Sequence, residues 1–406
     1  MTPSRGRTPS PVDLPVALTV AGSDSGGGAG IQADLQTMAA NRAFGTSVVT
    51  AVTAQTTTGV ASSHVLPLEE IEAQYDAVTD DFDVRAAKTG MLATAEVVET
   101  VARWTREAAF PVVVDPVMVA ESGDRLLTPA AEEAYEQLVA AATLVTPNAD
   151  EAAVLTDIDP ATPDEQAAAG ETLVNMGAGA ALVKGGHGDG ETVHDTLVTP
   201  HGTETFTHPR VATADTHGSG CTLSSAIAAR LAHGEELTAA VEQATGFMER
   251  AVRYAHDVGE GAGPVNHLVD LRNDASREQT REAVAGLAAR LDGVETTGVA
   301  GSTPCAETAE DVLCIEDGDA TFGECGLATA LLSAREAAPS MRFAVETPPR
   351  FAEVAGERDV PVTDRPDGGA FDVSVAAVVS DETTRFVGSD PDAVVNAVRE
   401  AAEAVE

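Results

Sequence analysis

The sequence predicts an α/β protein: a mostly parallel sheet with helices on both faces, followed by a smaller α/β domain. Three observations carry that expectation. From Leu14 onward, short β-branched runs alternate with amphipathic stretches, the pattern of βαβ units with right-handed crossovers. Glycine-rich turns at 22–30 and 218–220 each run into a helix-favouring stretch, as at the ligand-binding edge of an open α/β sheet. A polar, charged segment from Asp270 to Thr280 separates this block from a second of about one small domain's length.

In chain order, Met1 to Asp13 is rich in Pro, Ser, Thr and Arg without apolar periodicity and is expected to form a loose tail. The first domain is placed at 14–269. Its strands are expected at 16–21, 46–54, 84–87, 112–115, 144–146 and 181–184, each a short apolar run of the kind buried on both faces. Its helices are expected at 31–41, 69–80, 95–109, 129–141, 163–176, 221–232 and 237–256. Residues 270–280 form the linker, and 281–406 the second domain. There the pattern gives helix 281–291, strand 312–315, helix 326–337, strands 341–345, 372–379 and 384–387, and a closing helix from Pro391 capped by Ser389 or Asp390.

Acidic residues number 65 against 24 basic ones, a net charge of −41, yet 43% hydrophobic residues in periodic runs supply a sizeable core and argue against disorder. The acid therefore reads as a solvated coat, suited to concentrated salt that screens self-repulsion. Nucleic acid and anionic membranes are poor partners for it. Cys221, Cys305, Cys314 and Cys325 show no Cys-x-x-Cys pair, and no signal peptide or 18-residue apolar span is seen. The last three cysteines are expected as small buried residues, and the compartment as a reducing cytoplasm.

The candidate chemistry begins with Asp215-Thr216-His217-Gly218-Ser219-Gly220-Cys221-Thr222, which leads into the apolar stretch Leu223 to Leu231. A glycine turn opening a helix is an anion cradle: backbone N–H groups of Gly218, Ser219 and Gly220 would hold phosphate oxygens, and the same field would favour thiolate at Cys221. The first glycine loop, containing Gly22, offers a similar close approach. The chain holds just two lysines, Lys88 and Lys184, both beside glycines after apolar runs, where a cation at a strand end can meet a polyanion. Asp115 at a strand end, with Asn148 and Glu151 one helical turn apart, offers hard oxygens for Mg²⁺ held through water, although Asn-x-x-Glu is also a common helix cap. Gln55 and Asp34 could read a heteroaromatic edge. Together these signals point to phosphoryl transfer.

From about Leu14 to His267 the chain closely resembles the hydroxymethylpyrimidine kinase/phosphomethylpyrimidine kinase family of thiamine biosynthesis, which has a ribokinase-like fold. The resemblance rests on residues 21–34, Lys88-Thr89-Gly90-Met91-Leu92, Ser122-Gly123-Asp124, Lys184-Gly185-Gly186-His187, Thr216 to Ser224 and Gly263-Pro264-Val265. Ribokinase-like enzymes generally carry Asp as the base after Gly-x-Gly; the cysteine here is typical of the pyrimidine kinases. The resemblance implies two ATP- and Mg²⁺-dependent phosphorylations of 4-amino-5-hydroxymethyl-2-methylpyrimidine, to the monophosphate and then the diphosphate. It implies Cys221 as base, Lys184, Asp215 and Thr216 on the ATP side, Asp115, Asn148 and Glu151 organising Mg²⁺, and Gly22, Asp34, Gln55, Met91 and Met118 around the pyrimidine. His217 is expected to be structural. Dimers are common in the family, so a homo-oligomer is expected. Pyridoxal kinase shares the fold and the cysteine and is the runner-up; a binding regulator with an inactive kinase body is a third reading.

The tail more faintly resembles a thiamine-phosphate synthase domain of the ThiN type, through Ala309-Glu310-Asp311-Val312, Phe322-Gly323, Pro339-Ser340-Met341 and Val387 to Pro391. No His, Lys, Tyr or Trp follows His267, and Phe322-Gly323-Glu324-Cys325-Gly326-Leu327 stands where the family typically reads Phe-Gly-Ala-Ser-x-His. Glu324 would repel a diphosphate. The expectation is a domain that has lost synthase chemistry and senses thiamine phosphate or serves as a structural remnant.

Overall fold

The computed structural model describes residues 13–118, 129–186, 190–316, 318–358, 360–363, 374–380 and 382–405. The expected tail up to residue 12, the Ser122-Gly123-Asp124 motif and His187 lie outside them. The chain divides into two compact units, Met1–Val269 and Asp270–Glu406.

The first unit is built on an eight-stranded sheet. Strands β1 (Val16–Ala21), β2 (Phe44–Val49), β5 (Val84–Thr89), β6 (Val112–Val114), β7 (Leu144–Val145) and β8 (Ala181–Val183) are parallel. The expected strand 46–54 is two strands. Thr50 makes the break: its N–H donates to Ala21 O, its C=O accepts from Leu66 N–H and its Oγ1 donates to Met91 O at 2.7 Å. After it, β3 (Ala51–Thr56) leaves the sheet and pairs antiparallel with β4 (Gly59–Val65) as a separate hairpin. The sheet also extends beyond the expected last strand through the antiparallel pair β9 (Thr192–Thr199) and β10 (Gly202–Pro209), whose threonines and histidines hid them in the sequence. The order is β10-β9-β8-β7-β6-β5-β1-β2.

Alternation along β1 sorts the two faces. Leu18 and Val20 point into the larger core with Ile71, Val97, Trp104 and Leu138, supplied by α2 (Leu68–Asp81), α3 (Ala95–Glu107) and α4 (Pro129–Val139). Ala17 and Ala86 face Met38, Ala229 and Ala232 of α1 (Gly30–Ala40) and α7 (Ser219–Ala232). Alanine there lets both helices lie close to the sheet, which brings their N-termini together at the carboxyl ends of the strands. The remaining helices are α5 (Ala149–Thr156), α6 (Pro163–Met176) and α8 (Leu237–Arg253).

The second unit has a seven-stranded sheet in the order β13 (Asp319–Phe322), β12 (Val312–Glu316), β11 (Gly298–Ser302), β14 (Phe343–Thr347), β17 (Thr384–Gly388), β16 (Val375–Val379), β15 (Val362–Thr363). Its pairs are antiparallel except β15 with β16. The strand β11, Gly-Val-Ala-Gly-Ser, is too small-sided to stand out in sequence. Helix α11 (Gly326–Ala337) covers one face, and α10 (Arg277–Arg290), α12 (Phe351–Glu357) and α13 (Pro391–Val405) pack on the other. The expected linker 270–280 is instead helical, split between α9 (Val269–Ala275) and the start of α10. Asp390, rather than Ser389, caps α13: its Oδ1 accepts from Asp392 N–H at 2.8 Å. A disulfide joins Cys314 of β12 to Cys325 at the N-cap of α11, which corrects the expectation of separate buried thiols. The signal was hidden because the pairing crosses from a strand to a helix cap, with no Cys-x-x-Cys motif.

Trp104 stacks on Tyr75 with ring centroids 4.0 Å apart and planes 3° from parallel. Trp104→Ala empties that position, and the first unit is expected to lose about 3–5 kcal/mol, measured by guanidinium denaturation followed by circular dichroism.

Candidate active site

The first glycine loop is folded around Asp24. Its Oδ1 accepts from Gly26 N–H at 2.8 Å, and its Oδ2 from Gly28 and Ala29 N–H at 3.0 and 2.8 Å. Burial opposes the charge, but the His217 hydrogen bond and the Ala29 and Gly26 amides outweigh it and hold the carboxyl below its usual value. His217 Nε2, from the second glycine loop, lies 3.1 Å from Asp24 Oδ2 and 3.5 Å from Gln55 Nε2. The structural role expected of His217 is thus a clasp between the two loops, and Gln55 borders it. Asp24 escaped the sequence reading; an aspartate two residues before a glycine run is the Asx-turn signal that could have found it.

The second loop closes onto the first. Gly218 is left-handed at φ 79°, and a Cβ there would stand 1.9 Å from Gly28 O, so glycine is the residue that fits. Asp215, expected on the ATP side, is engaged in this scaffold: its Oδ1 accepts from Gly263 N–H at 2.7 Å. Thr216 O accepts from Ser219 N–H at 3.1 Å, so Ser219 is removed from the three amides expected in the cradle. Helix geometry directs the first-turn N–H groups of α7 out of its N-terminus, with Cys221 in that turn.

Cys221 departs from the expected thiolate. Burial dominates and pushes the thiol up to about 11; Lys88 and a Gly30 N–H hydrogen bond favour the thiolate, whereas Asp34 and Asp115 oppose it. Desolvation and the two carboxylates, which a helix-dipole argument for a thiolate leaves out, all favour the thiol.

Beneath the first turn of α7, Lys184 Nζ pairs with Asp115 Oδ1 at 3.1 Å, and Asp115 also accepts from Thr146 Oγ1 at 3.2 Å. A Cβ on Gly220 would lie 3.3 Å from Lys184 Nζ and 3.5 Å from Asp115 Oδ2, so the bare glycine keeps this ion pair open to the turn. Burial opposes the charge on Lys184, but Asp115 and Glu151 overcome it and raise its pKa. Asn148 and Glu151 form a reciprocal capping box on α5, with N–H to carboxylate and amide oxygens at 2.8 and 2.9 Å. Asn148 is therefore a helix cap, and Glu151 completes that cap while lying within the fields of Asp115 and Lys184.

Two further expectations are corrected by burial. Asp34 is fully buried and accepts from Lys88 Nζ at 2.9 Å, Ser225 Oγ at 2.8 Å and Thr19 Oγ1 at 2.6 Å, so its carboxylate is spent inside the protein rather than on a ring edge. Lys88 is buried with it and presents no cation to a polyanion at the surface. Met118 belongs to the large core with Tyr135 and Leu138. Met91 does lie at the loop: its Cε occupies the space beside Gly22, 2.3 Å from where a Cβ would be.

Magnesium would be held by the carboxylates of Asp115 and Glu151. Among the described residues no three His, Cys, Asp or Glu side chains converge to bind a metal directly. The Tyr135 hydroxyl, fully buried and within the fields of Glu151 and Asp115, has no hydrogen-bond partner among the described residues. Two carboxylates beside an unsatisfied hydroxyl fit a hydrated divalent ion held through water.

The N-terminus of α7 over a buried lysine–carboxylate pair, at the carboxyl edge of a ribokinase-like sheet, is the setting of a phosphotransferase. The match to family models is specific: residues 24–266 match the phosphomethylpyrimidine kinase family, and the chain belongs to it. The hydroxymethylpyrimidine/phosphomethylpyrimidine kinase of Streptomyces coelicolor is 47% identical over 260 residues, 63% of this chain and 96% of that one. Among solved structures, an ADP complex of Bacillus subtilis pyridoxal kinase is similar at TM-score 0.60 and 33% identity, covering 63% of this chain and 98% of its own. A phosphomethylpyrimidine kinase from Clostridium difficile is similar at TM-score 0.53 and 39% identity, covering 59% and 100%.

The Glu151 carboxyl is pushed up to about 7 by burial, with Asp115 adding to the rise and Lys184 opposing it. A carboxyl that holds its proton more tightly folded than unfolded makes the fold less stable as pH rises from about 4.5 to about 7. Glu151→Gln, which can still cap α5, is expected to flatten that decline in a thermal-melting series without added metal.

Proposed function

We propose that the chain phosphorylates 4-amino-5-hydroxymethyl-2-methylpyrimidine with ATP, first to the monophosphate and then to the diphosphate, in one pocket. The observation that carries the reading is Cys221 in the first turn of α7 facing the fields of both lysines, within a chain of the phosphomethylpyrimidine kinase family. Gln55 and Met91 border the ring, and Lys184 faces the transferring phosphoryl. Magnesium, when bound, supplies charge neutralisation across the phosphates. The amides of Gly220 and Cys221 receive the charge that develops on the transferred group.

Cys221 accepts the proton of the alcohol in the first step. In a loose transition state that proton leaves late, so a thiol of high proton affinity can serve, at a rate set by its thiolate fraction. The first step is therefore expected to accelerate with rising pH across the neutral and mildly alkaline range. The second step starts from an ionised phosphate oxygen and is expected to stay nearly flat. Cys221→Ala should abolish most of the first step, by about 10²–10⁴-fold, and retain much of the second, each followed as ATP consumption in high salt with the two acceptors tested separately. ATP consumption with neither acceptor would remove the pyrimidine reading.

The similarity to pyridoxal kinase structures favours a second acceptor class, since a pyridine carrying a hydroxymethyl group differs little in shape. Competition by pyridoxal in the same assay separates the two.

For the second unit we propose a sensor of thiamine phosphate on a ThiN-like domain without synthase activity. Supporting it are the missing histidine and lysine after His267, Glu324, and the disulfide that ties Cys325 to β12. Thiamine phosphate should raise the melting temperature of the full chain with no thiamine phosphate formed from pyrimidine diphosphate and thiazole phosphate; measurable formation would overturn the proposal.

A further inference from the structure

The Lys88–Asp34 pair touches no substrate in the chemistry above, although it is among the most completely enclosed polar features of the first unit. Both side chains are fully buried, whereas most of the described acidic residues are not. Asp34 gathers four elements: its own α1, β5 through Lys88, β1 through Thr19 and α7 through Ser225. Ser225 stands one helical turn beyond Cys221, on the helix whose first turn carries the cradle. Gly90, two residues past Lys88, leaves its ammonium room: a Cβ there would lie 3.2 Å from Nζ.

A buried ion pair is a poor way to gain stability, because desolvation of both charges offsets their attraction, so its presence calls for another account. The charges facing Cys221 are Lys88 on β5, Asp34 on α1, Asp115 after β6 and Lys184 after β8. Both lysines of the chain are thus spent around one thiol. Each lysine is paired with its own carboxylate, and Lys88 is the one whose partner, Asp34, also bonds to α7, through Ser225.

We propose that Lys88 is a positioning residue for Cys221: held by Asp34, its buried ammonium fixes the first turn of α7 through Ser225 and supplies the positive potential in which the thiol gives up its proton. Asp34 is the counter-ion that holds this ammonium in place, while Asp115 and Cys221 also favour its charge. The inference rests on the reading of Cys221 as the proton acceptor.

The test is alkylation of Cys221 by iodoacetamide in the full chain without substrates, at a fixed mildly alkaline pH and high salt. Peptide mass separates Cys221 from Cys305, the other thiol. Well below the thiol's midpoint the rate follows the thiolate fraction, so a shift of one unit is about tenfold. Lys88→Met is expected to slow alkylation about tenfold or more, and Asp34→Asn, whose Oδ1 can still accept from Lys88 and Ser225, to accelerate it by a similar factor. Opposite signs distinguish an electrostatic role from a loosened helix, which would move both variants the same way; Ser225→Ala, which alters anchoring without charge, calibrates that contribution.

Equal signs, or no change in either variant, would overturn the proposal. If either single variant fails to fold, Lys88→Met/Asp34→Asn decides: the ammonium is the larger influence on the thiol, so alkylation slower than wild type by severalfold supports the proposal, and a rate equal to or above wild type overturns it. Because no substrate is present, a chain inactive on the pyrimidine would leave this test standing, and failure of the test would leave the kinase reading untouched.

Discussion

The first unit depends on the contact between two glycine loops. Gly28 O occupies the place a Gly218 side chain would need, and the Asp24–His217 clasp holds the loops at that distance. The rim of the site follows from this closure. It exposes the first turn of α7, brings Gly30 N–H to the Cys221 thiol, and sets Gln55 and Met91 at the rim. The closure is possible because alanines on one face of β1 and β5 let α1 and α7 settle onto the sheet, so both helices begin at the same edge.

Charge is distributed by a simple rule. Arginine meets the acidic coat in exposed pairs such as Arg103–Glu72, which water and salt screen to little energy. Lysine is confined to two enclosed pairs, Lys88–Asp34 and Lys184–Asp115, where the low local dielectric makes each charge felt by its neighbours. Cys221, Glu151 and Tyr135 have raised proton affinities, opposed by Lys88 at Cys221 and by Lys184 at Glu151. Burial is the first cause in all three, so the site is electrostatically tuned by enclosure before it is tuned by partners.

The second unit obeys different constraints. Its mixed sheet carries apolar cores on both faces, and the Cys314–Cys325 disulfide fastens a strand to the start of α11, where Cys325 Sγ also accepts from Ala328 N–H. Arg335 is buried with its guanidinium donating to the carbonyls of Pro304, Ala306 and Met341 and to Ser302 Oγ, which pins the loop after β11 to the end of α11. A buried charge satisfied by carbonyl dipoles is a scaffold device and explains why that loop is ordered.

The sequence alone determined the elements whose signals are local. Apolar periodicity and β-branched runs placed the parallel strands and most helices, and the glycine turn before Cys221 marked the start of α7; the Asn148/Glu151 spacing points first to a magnesium site, and the structure shows the helix cap that is its alternative. The sequence also placed Cys221, Lys184, Asp115 and Glu151 among the candidates, because glycine turns and strand ends are recognisable by position. Tertiary structure decided whatever depended on burial and on partners far along the chain. Asp34 and Lys88 looked like surface chemistry until β1, β5, α1 and α7 enclosed them; Cys221 looked like a thiolate until desolvation was counted. Thr50 split one apolar run into two strands, and Cys314 found Cys325 across a sheet and a helix cap. Local sequence records what a residue can do, whereas its charge state and partners are set by what the fold packs against it.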